Sequence, residues 1–325
     1  MTRALITGVT GQDGGYLAER LVAEGCEVHG LVHAGDPQLG ELTARTPEVV
    51  LHDGDLRDEA ALARVVADAQ PDEVYNLGGI SSVALSWEKP VLTADVSGLG
   101  VARLLAAVAA EQERSGRRTA FVQASSAEVF GRAERAPQDE RTPLRPTSPY
   151  GVAKVFGHQL CGVYRTQGVH AVSVILYNHE SPRRPMSFVT RKITHAVARI
   201  AAGLQDELVL GNVDARRDWG WAPDYVDAMV RAARAPQPDD FVVATGEAHS
   251  VEELALAAFA RAGVEPRIQV DRSLVRPDDP ALLVGDASKA RSVLGWSPTV
   301  GFEEIVARMV DADLALVAES SPQRG

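Results

Sequence analysis

Apolar residues along the chain fall into short blocks separated by polar, glycine-bearing stretches. The first block, Ala4-Leu5-Ile6-Thr7, runs into Gly8, Gly11 and Gly14 and then Tyr16-Leu17, which reads as strand, tight turn and helix N-terminus. A helix through Arg20-Leu21-Val22 leads to a second strand from Glu27 to His33, and Val49-Val50-Leu51 makes a third. Glu73 to Leu77 is the fourth. Residues Asp95 to Gln112 carry an apolar stripe at helical spacing, formed by Leu99, Leu104, Leu105 and Val108, that suits a core or a subunit contact. Thr119 to Ala124 and Ala171 to Leu176 predict the fifth and sixth strands, with a helix between them that starts at Ser148-Pro149. Farther on come a strand from Phe241 to Ala244, a helix from Ser250 to Ala262 with Ser250 as cap and Glu253 three residues later, and a short strand from Arg267 to Val270. A closing helix runs from Phe302 to about Val317, and Ser320 to Gly325 reads as a frayed tail. Strands alternating with helices predict an α/β protein built on a doubly wound parallel sheet.

Composition narrows the partners. The chain has 325 residues, 45% of them hydrophobic, and a formal net charge of -11, which disfavours nucleic acid and anionic membrane surfaces. Two cysteines, Cys26 and Cys161, match no metal-ligand spacing, so no metal is expected and two reduced thiols in a cytoplasmic protein are the simplest reading. No signal peptide is expected before the first strand, and no stretch is expected to reach the length of a membrane span.

Chemistry concentrates at the carboxyl ends of the strands, where open α/β sheets place their ligands. Gly8, Gly11 and Gly14 let backbone N–H groups approach a pyrophosphate, and the following helix N-terminus adds partial positive charge. At the end of the second strand, where an acid selects NAD and an arginine accommodates NADP, the chain offers His33, with Asp36 and Arg45 farther on; the choice stays open there. Asp55 either accepts a bond from an adenine or caps the helix that begins near Asp58. Gly78 and Gly79 let the chain pass close to a ligand. Ser125-Ser126-Ala127-Glu128 ends the fifth strand. Tyr150 and Lys154 lie on one face of the next helix, where an ammonium beside a phenol is expected to lower the tyrosine pKa and prepare it to take a proton from a sugar hydroxyl. Between Ser181 and Gln205 no acid occurs while Arg183, Arg184, Arg191, Lys192 and Arg199 accumulate. That stretch suits a substrate diphosphate or, alternatively, a solvated basic face. Arg216, Arg217 and Arg276 are further candidates. His179 either orients its loop, contacts the cofactor or is structural.

Taken together, ALITGVTGQDGGYLAERL, ADVSGLGVARLL, ASSAEVFG, SPYGVAK, YNHESPRR, FVTRKI, LGNVDARRDWGWAPDYVDAM, GDASKA and LGWSPTVGFEE resemble the GDP-mannose 4,6-dehydratase family, within the extended short-chain dehydrogenases/reductases. The resemblance implies a Rossmann domain over 1–177, with 219–245 returning to it, a smaller C-terminal substrate-binding domain from 178–218 and 246–318, and a tail over 319–325. It implies an internal redox cycle that yields a 4-keto-6-deoxysugar nucleotide. Tyr150 accepts the proton of the carbon-4 hydroxyl, Glu128 removes the hydrogen on carbon 5, Ser126 bonds the carbon-4 oxygen and Lys154 assists. The implied cofactor is NADP, with NAD as the alternative because His33-Ala34-Gly35-Asp36 stands where the family has an arginine-rich segment. Its implied binding residues are Gly8, Thr10, Gly11, Gln12, Asp13, Gly14, His33, Asp55, Leu56, Leu77, Gly78, Gly79, Ser81, Tyr150, Lys154, His179 and Arg184. For GDP-mannose they are Ser81, Ser126, Asn178, Ser187, Val189, Lys192, Arg217 and Arg276. A homodimer through the helices Asp95 to Gln112 and Pro149 to Arg165, or a homotetramer, is the implied assembly. Alternatives are a dehydratase or epimerase of another nucleotide sugar, such as a GDP-heptose, and a non-catalytic dinucleotide sensor.

Overall fold

The structure, a computed structural model, describes residues 1–274 and 282–320. Six of its strands are labelled β1 (Arg3–Thr7), β2 (Glu27–Val32), β3 (Val50–Asp53), β4 (Glu73–Asn76), β5 (Ala120–Ser126) and β6 (His170–Leu176). With Asp240–Val243 they form one seven-stranded sheet in the order Asp240–Val243, β6, β5, β4, β1, β2, β3. Every pairing in it is parallel. The order reverses at β1 and β4, whose carboxyl ends therefore open onto a crevice.

Strand periodicity explains why the sheet is covered on both faces. Leu5, Val74 and Phe121 join a core with Leu62, Val66, Val101, Leu104 and Val108. Their chain neighbours Ile6, Tyr75 and Val122 join the opposite core with Leu17, Leu21, Met229 and Phe241. Successive side chains point to opposite faces, and a parallel sheet buries both. Each such side chain stabilises the fold by about 1.5–3 kcal/mol relative to exposure. A third core, around Ile193, Val197, Leu210, Trp219, Phe259 and Val310, gathers residues from the later part of the chain.

The helix expected from Asp95 to Gln112 is longer, running from Pro90 to Ser115 with a widened π-turn over Asp95–Leu99. It has 26 residues, and an 18-residue window within it with a mean hydropathy of 1.6 meets the length and composition of a membrane span, contrary to expectation. Val101, Leu104, Leu105 and Val108 are nevertheless packed against the sheet, which accounts for the apolar stripe without a bilayer. Ser148 caps the helix Pro149–Thr166 by accepting from Gly151 N–H, and Ser250 with Glu253 forms a capping box. At the end of β3 the cap is Asp58, which accepts from Ala61 N–H, while Asp55 holds Arg57 instead. The short strand Ile268–Val270 pairs with Leu208–Leu210, away from the main sheet. The closing helix extends from Phe302 to Ser320; residues 321–325 of the expected tail lie outside the described residues.

Candidate active site

The turn after β1 is closed by backbone packing. Gly8 has φ +66°, and a Cβ there would lie 2.8 Å from Gly78 N; one on Gly14 would come within 2.6 Å of Val9 Cα. Only glycine fits either position. Gly11 is the N-cap of the helix Gln12–Ala23 and offers no side chain to its first N–H groups, which leaves those donors for an anion. Thr7 Oγ1 donates to Asn76 Oδ1 (2.6 Å) and accepts from Gly78 N–H, and Asn76 Nδ2 donates to Gln123 Oε1 (2.7 Å). This ladder aligns the ends of β1, β4 and β5. A glycine-only cradle over an uncapped helix start fits the pyrophosphate of a dinucleotide.

Gln12 and Asp13, on that first helical turn, reach across to the segment after β6. Gln12 Nε2 donates to His179 O (3.1 Å), and Ser181 Oγ donates to Gln12 Oε1 (2.8 Å). His179 stands 2.7 Å from Asp13 through Nε2, 2.7 Å from Tyr177 O through Nδ1, and stacks on Tyr225. Burial would push the Asp13 carboxyl up, but the imidazole's charge and hydrogen bond hold it below its usual range. Burial pulls His179 down and Asp13 more than reverses this. His179 thus ties β6 to the first helix while still facing the cleft.

A cleft of about 420 Å³ runs along these strand ends. It is lined by Asp13, Leu77, Ser81, Ser126, Glu128, Tyr150, Lys154, Asn178, His179 and Arg184, and on its outer side by Ser187, Val189, Lys192 and Arg217. β5 carries Ser126 into it, and Ser126 Oγ accepts from Glu128 N–H at 3.2 Å, starting a single 3-10 turn that holds Glu128 beside it. Tyr150 and Lys154 are both buried. Lys154 Nζ donates to Ala124 O (2.7 Å) and lies 5.7 Å from the centre of the Tyr150 ring. The ammonium therefore does not lower the tyrosine as the spacing suggested. Burial pushes Tyr150 up to about 12, against a hydrogen bond with Ser126 that pulls it down, and burial brings Lys154 down to about 8.

The basic stretch is mostly spent inside the protein. Arg183 pairs with Glu19 (2.8 Å) over the Tyr16 ring, and Arg184 pairs with Glu180 (3.3 Å) over Phe188. Arg191 is buried; its Nη2 lies 2.6 Å from Asp313 Oδ1, and its Nη1 donates to Pro182 O and Arg184 O. Arg199 donates to Leu204 O. Of the five cations, Arg184 and Lys192 line the cleft, and Lys192 is exposed there. Arg216 pairs with Glu253, whereas Arg217 faces the cleft. Arg276 lies outside the described residues.

The remaining expected cofactor residues form the other end of the crevice. His33 is exposed with Nδ1 3.2 Å from Ala34 O, Leu56 is buried, and Thr10 Oγ1 donates to Asp36 Oδ2 at 2.7 Å. Asp55 accepts from Arg57 through both oxygens and is held at about 2 by that bond. Gly79 lies against Ser97, whose Oγ accepts from Ile80 N–H. Sequence reasoning passed over Ser125, Phe188, Asn212 and Trp219, which also line the cleft. Ser125 Oγ and Trp219 Nε1 are buried there without a hydrogen-bond partner. Ser125 adjoins a chosen residue and Trp219 sits in the RRDWG run, so position in a motif was their only signal.

A parallel sheet with a glycine turn after β1, a serine at the end of β5 and a buried tyrosine and lysine four residues apart define an extended short-chain dehydrogenase/reductase. Among solved structures, the chain is similar to the UDP-glucose 4-epimerase of Thermus thermophilus in complex with NAD (28% identity, TM-score 0.83, 96% of this chain and 99% of that one). It is also similar to RMD from Pseudomonas aeruginosa complexed with NADPH (25% identity, TM-score 0.81, 97% and 100%). The chain belongs to the GDP-mannose 4,6 dehydratase family, whose model matches residues 5–309. It is 46% identical to GDP-mannose 4,6 dehydratase 1 of Arabidopsis thaliana over 325 residues, spanning 96% of this chain and 90% of that relative.

Proposed function

We propose that the chain dehydrates GDP-mannose to GDP-4-keto-6-deoxymannose. What carries the reading is the placement of Ser126, Glu128, Tyr150 and Lys154 around one cleft in a chain of this family. Tyr150 Oη receives the proton of the carbon-4 hydroxyl, and Ser126 Oγ holds that oxygen in place. Lys154 keeps a positive charge behind the phenol, fixed by its bond to Ala124 O. Once carbon 4 is a ketone, the hydrogen on carbon 5 is acidic; the Glu128 carboxylate takes that proton and passes it to the carbon-6 hydroxyl, which departs as water and leaves a carbon-5 to carbon-6 double bond. A simple dehydrogenase has no use for that acid. When bound, a nicotinamide dinucleotide supplies the acceptor for the carbon-4 hydride and its return to carbon 6, so no net oxidation results. Gly8, Gly11, Gly14 and the start of the helix Gln12–Ala23 would hold its pyrophosphate, and Leu77, Ser81, Tyr150, Lys154, His179 and Arg184 its nicotinamide half. Lys192 and Arg217 are the cations set to meet the substrate diphosphate, with Asn178, Ser187 and Val189 beside them.

Residues 1–177 and 219–245 form the dinucleotide half in this reading, and 178–218 with 246–318 the sugar-nucleotide half. Val91, Val152, Phe156 and Val163 are exposed on the helices Pro90–Ser115 and Pro149–Thr166, which supports a homodimer through them. A monomer in light scattering would remove it. Free thiols at Cys26 and Cys161 suit a cytoplasmic enzyme.

The test is mass spectrometry of GDP-mannose after incubation with purified protein. Loss of one water with no net reduction of cofactor is expected; an unchanged mass with both NAD and NADP would sink the substrate assignment. Glu128→Gln is expected to retain carbon-4 oxidation and lose elimination, and normal turnover in that variant would remove Glu128 from its role.

A further inference from the structure

The loop after β2 places an acid beside the glycine turn. Asp36 is half-buried, and its Oδ2 accepts from Thr10 Oγ1 at 2.7 Å, within the glycine turn itself. Its other oxygen accepts from Gln38 N–H at 2.9 Å. Both donors are neutral hydrogen-bonding groups that bring no positive charge, and together they fix the position of the carboxyl against the turn. Two arginines of the segments that follow hold carboxylates of their own. Arg57 grips Asp55 with two bonds, from Nε (3.0 Å) and Nη2 (2.6 Å), and Arg45 pairs with Glu41 at 3.4 Å. His33 lies near Asp55, which its field helps to keep ionised.

We infer that Asp36 makes this chain select NAD over NADP. An acid following the second strand, roughly 20 residues past the glycine turn, is placed to accept from a ribose 2′-hydroxyl. A 2′-phosphate presents about -1.5 to -2 charges at the same place, and a fixed carboxylate bonded to neutral donors repels them. The anchoring by Thr10 is what makes the exclusion firm, because a carboxylate on a free side chain could swing away.

The experiment is equilibrium binding of NADH and NADPH to the full chain, stripped of any co-purified nucleotide, followed by fluorescence and calorimetry. The wild-type protein is expected to bind NADH at least about tenfold more tightly. Asp36→Ser is expected to raise NADPH affinity at least about tenfold and to weaken NADH. Arg57→Ala is expected to leave the ratio within about twofold. NADPH binding tighter than NADH in the wild type would overturn the inference while leaving the dinucleotide site, on which it rests, intact. So would an unchanged ratio in a folded Asp36→Ser protein, or a shift in Arg57→Ala instead. Binding of neither nucleotide by folded wild-type protein would overturn the dinucleotide site and this preference with it.

Discussion

The glycine turn after β1 and the basic segment from Arg183 to Arg199 both looked in sequence like places to hold a phosphate, and they use their residues in opposite ways. At the turn, the chemistry belongs to the backbone, and what matters is the absence of side chains at Gly8 and Gly14. A residue type there has one meaning whatever surrounds it. In the basic segment the chemistry belongs to long charged side chains, whose direction depends on distant carboxylates: Glu19 takes Arg183, Glu180 takes Arg184 and Asp313 takes Arg191. Counting cations overstates a site when the fold neutralises them, whereas a glycine pattern has no partner to lose.

The largest expected effect falls on the strand-end chemistry. Tyr150→Phe should lower kcat by about 10³-fold while leaving NADH binding within about threefold; turnover within tenfold of wild type would place the proton acceptor elsewhere. Next is the buried pair. Asp313→Ala should destabilise the fold by about 3–5 kcal/mol by stranding the Arg191 charge, read as a shift in the denaturant midpoint. A change within about 1 kcal/mol would show that Arg191 escapes to solvent or to substrate, and the contrast between turn and basic segment would fail. One residue along, Lys192→Ala should raise KM for the nucleotide sugar about tenfold without lowering stability. Arg199→Ala should leave both unchanged, and equal effects from the two would restore the picture of a uniform basic face.

The smallest effect is a pH dependence of stability. The folded-state value of Lys154, about 8, lies below its ordinary 10.5, so between those limits the folded chain binds fewer protons than the unfolded one. Stability therefore rises with pH across that window. Tyr150, at about 12 against 10.0, opposes this above pH 10, where the folded chain keeps a proton that the unfolded one loses. Lys154→Met should flatten the rise and stabilise the protein by about 1–2 kcal/mol near neutral pH, since a buried ammonium is removed at the cost of one hydrogen bond. Denaturation midpoints at two pH values below 10 check it; an equal rise in wild type and variant would point to another group.

The sheet was legible because its strands are buried on both faces and show as continuous apolar runs, such as Ala4-Leu5-Ile6 and Val174-Ile175-Leu176. The end of β5 then located Ser126 and Glu128, and the helix start at Ser148-Pro149 located Tyr150 and Lys154. Ile268–Val270 was legible as a short strand, but its partner Leu208–Leu210 and their pairing were not, because a strand of three residues carries no period and the two lie far apart along the chain. Nor was the fate of Arg191, whose partner is 122 residues away. The tyrosine lines the cleft, but its proton affinity is raised where the spacing suggested a lowering: Lys154 lies on the same helix face, yet burial dominates at Tyr150 and the ammonium donates to the carbonyl of Ala124.

The bonds that Asp13 and Gln12 make to His179 and Ser181 span 166 and 169 residues. A ribosome must therefore emit 169 residues past Gln12 before the glycine turn receives that support. The turn is made before β2 through β6 and completed only after all of them. A nascent or truncated chain ending before Asn178 would carry the phosphate-binding pattern without the residues that brace it.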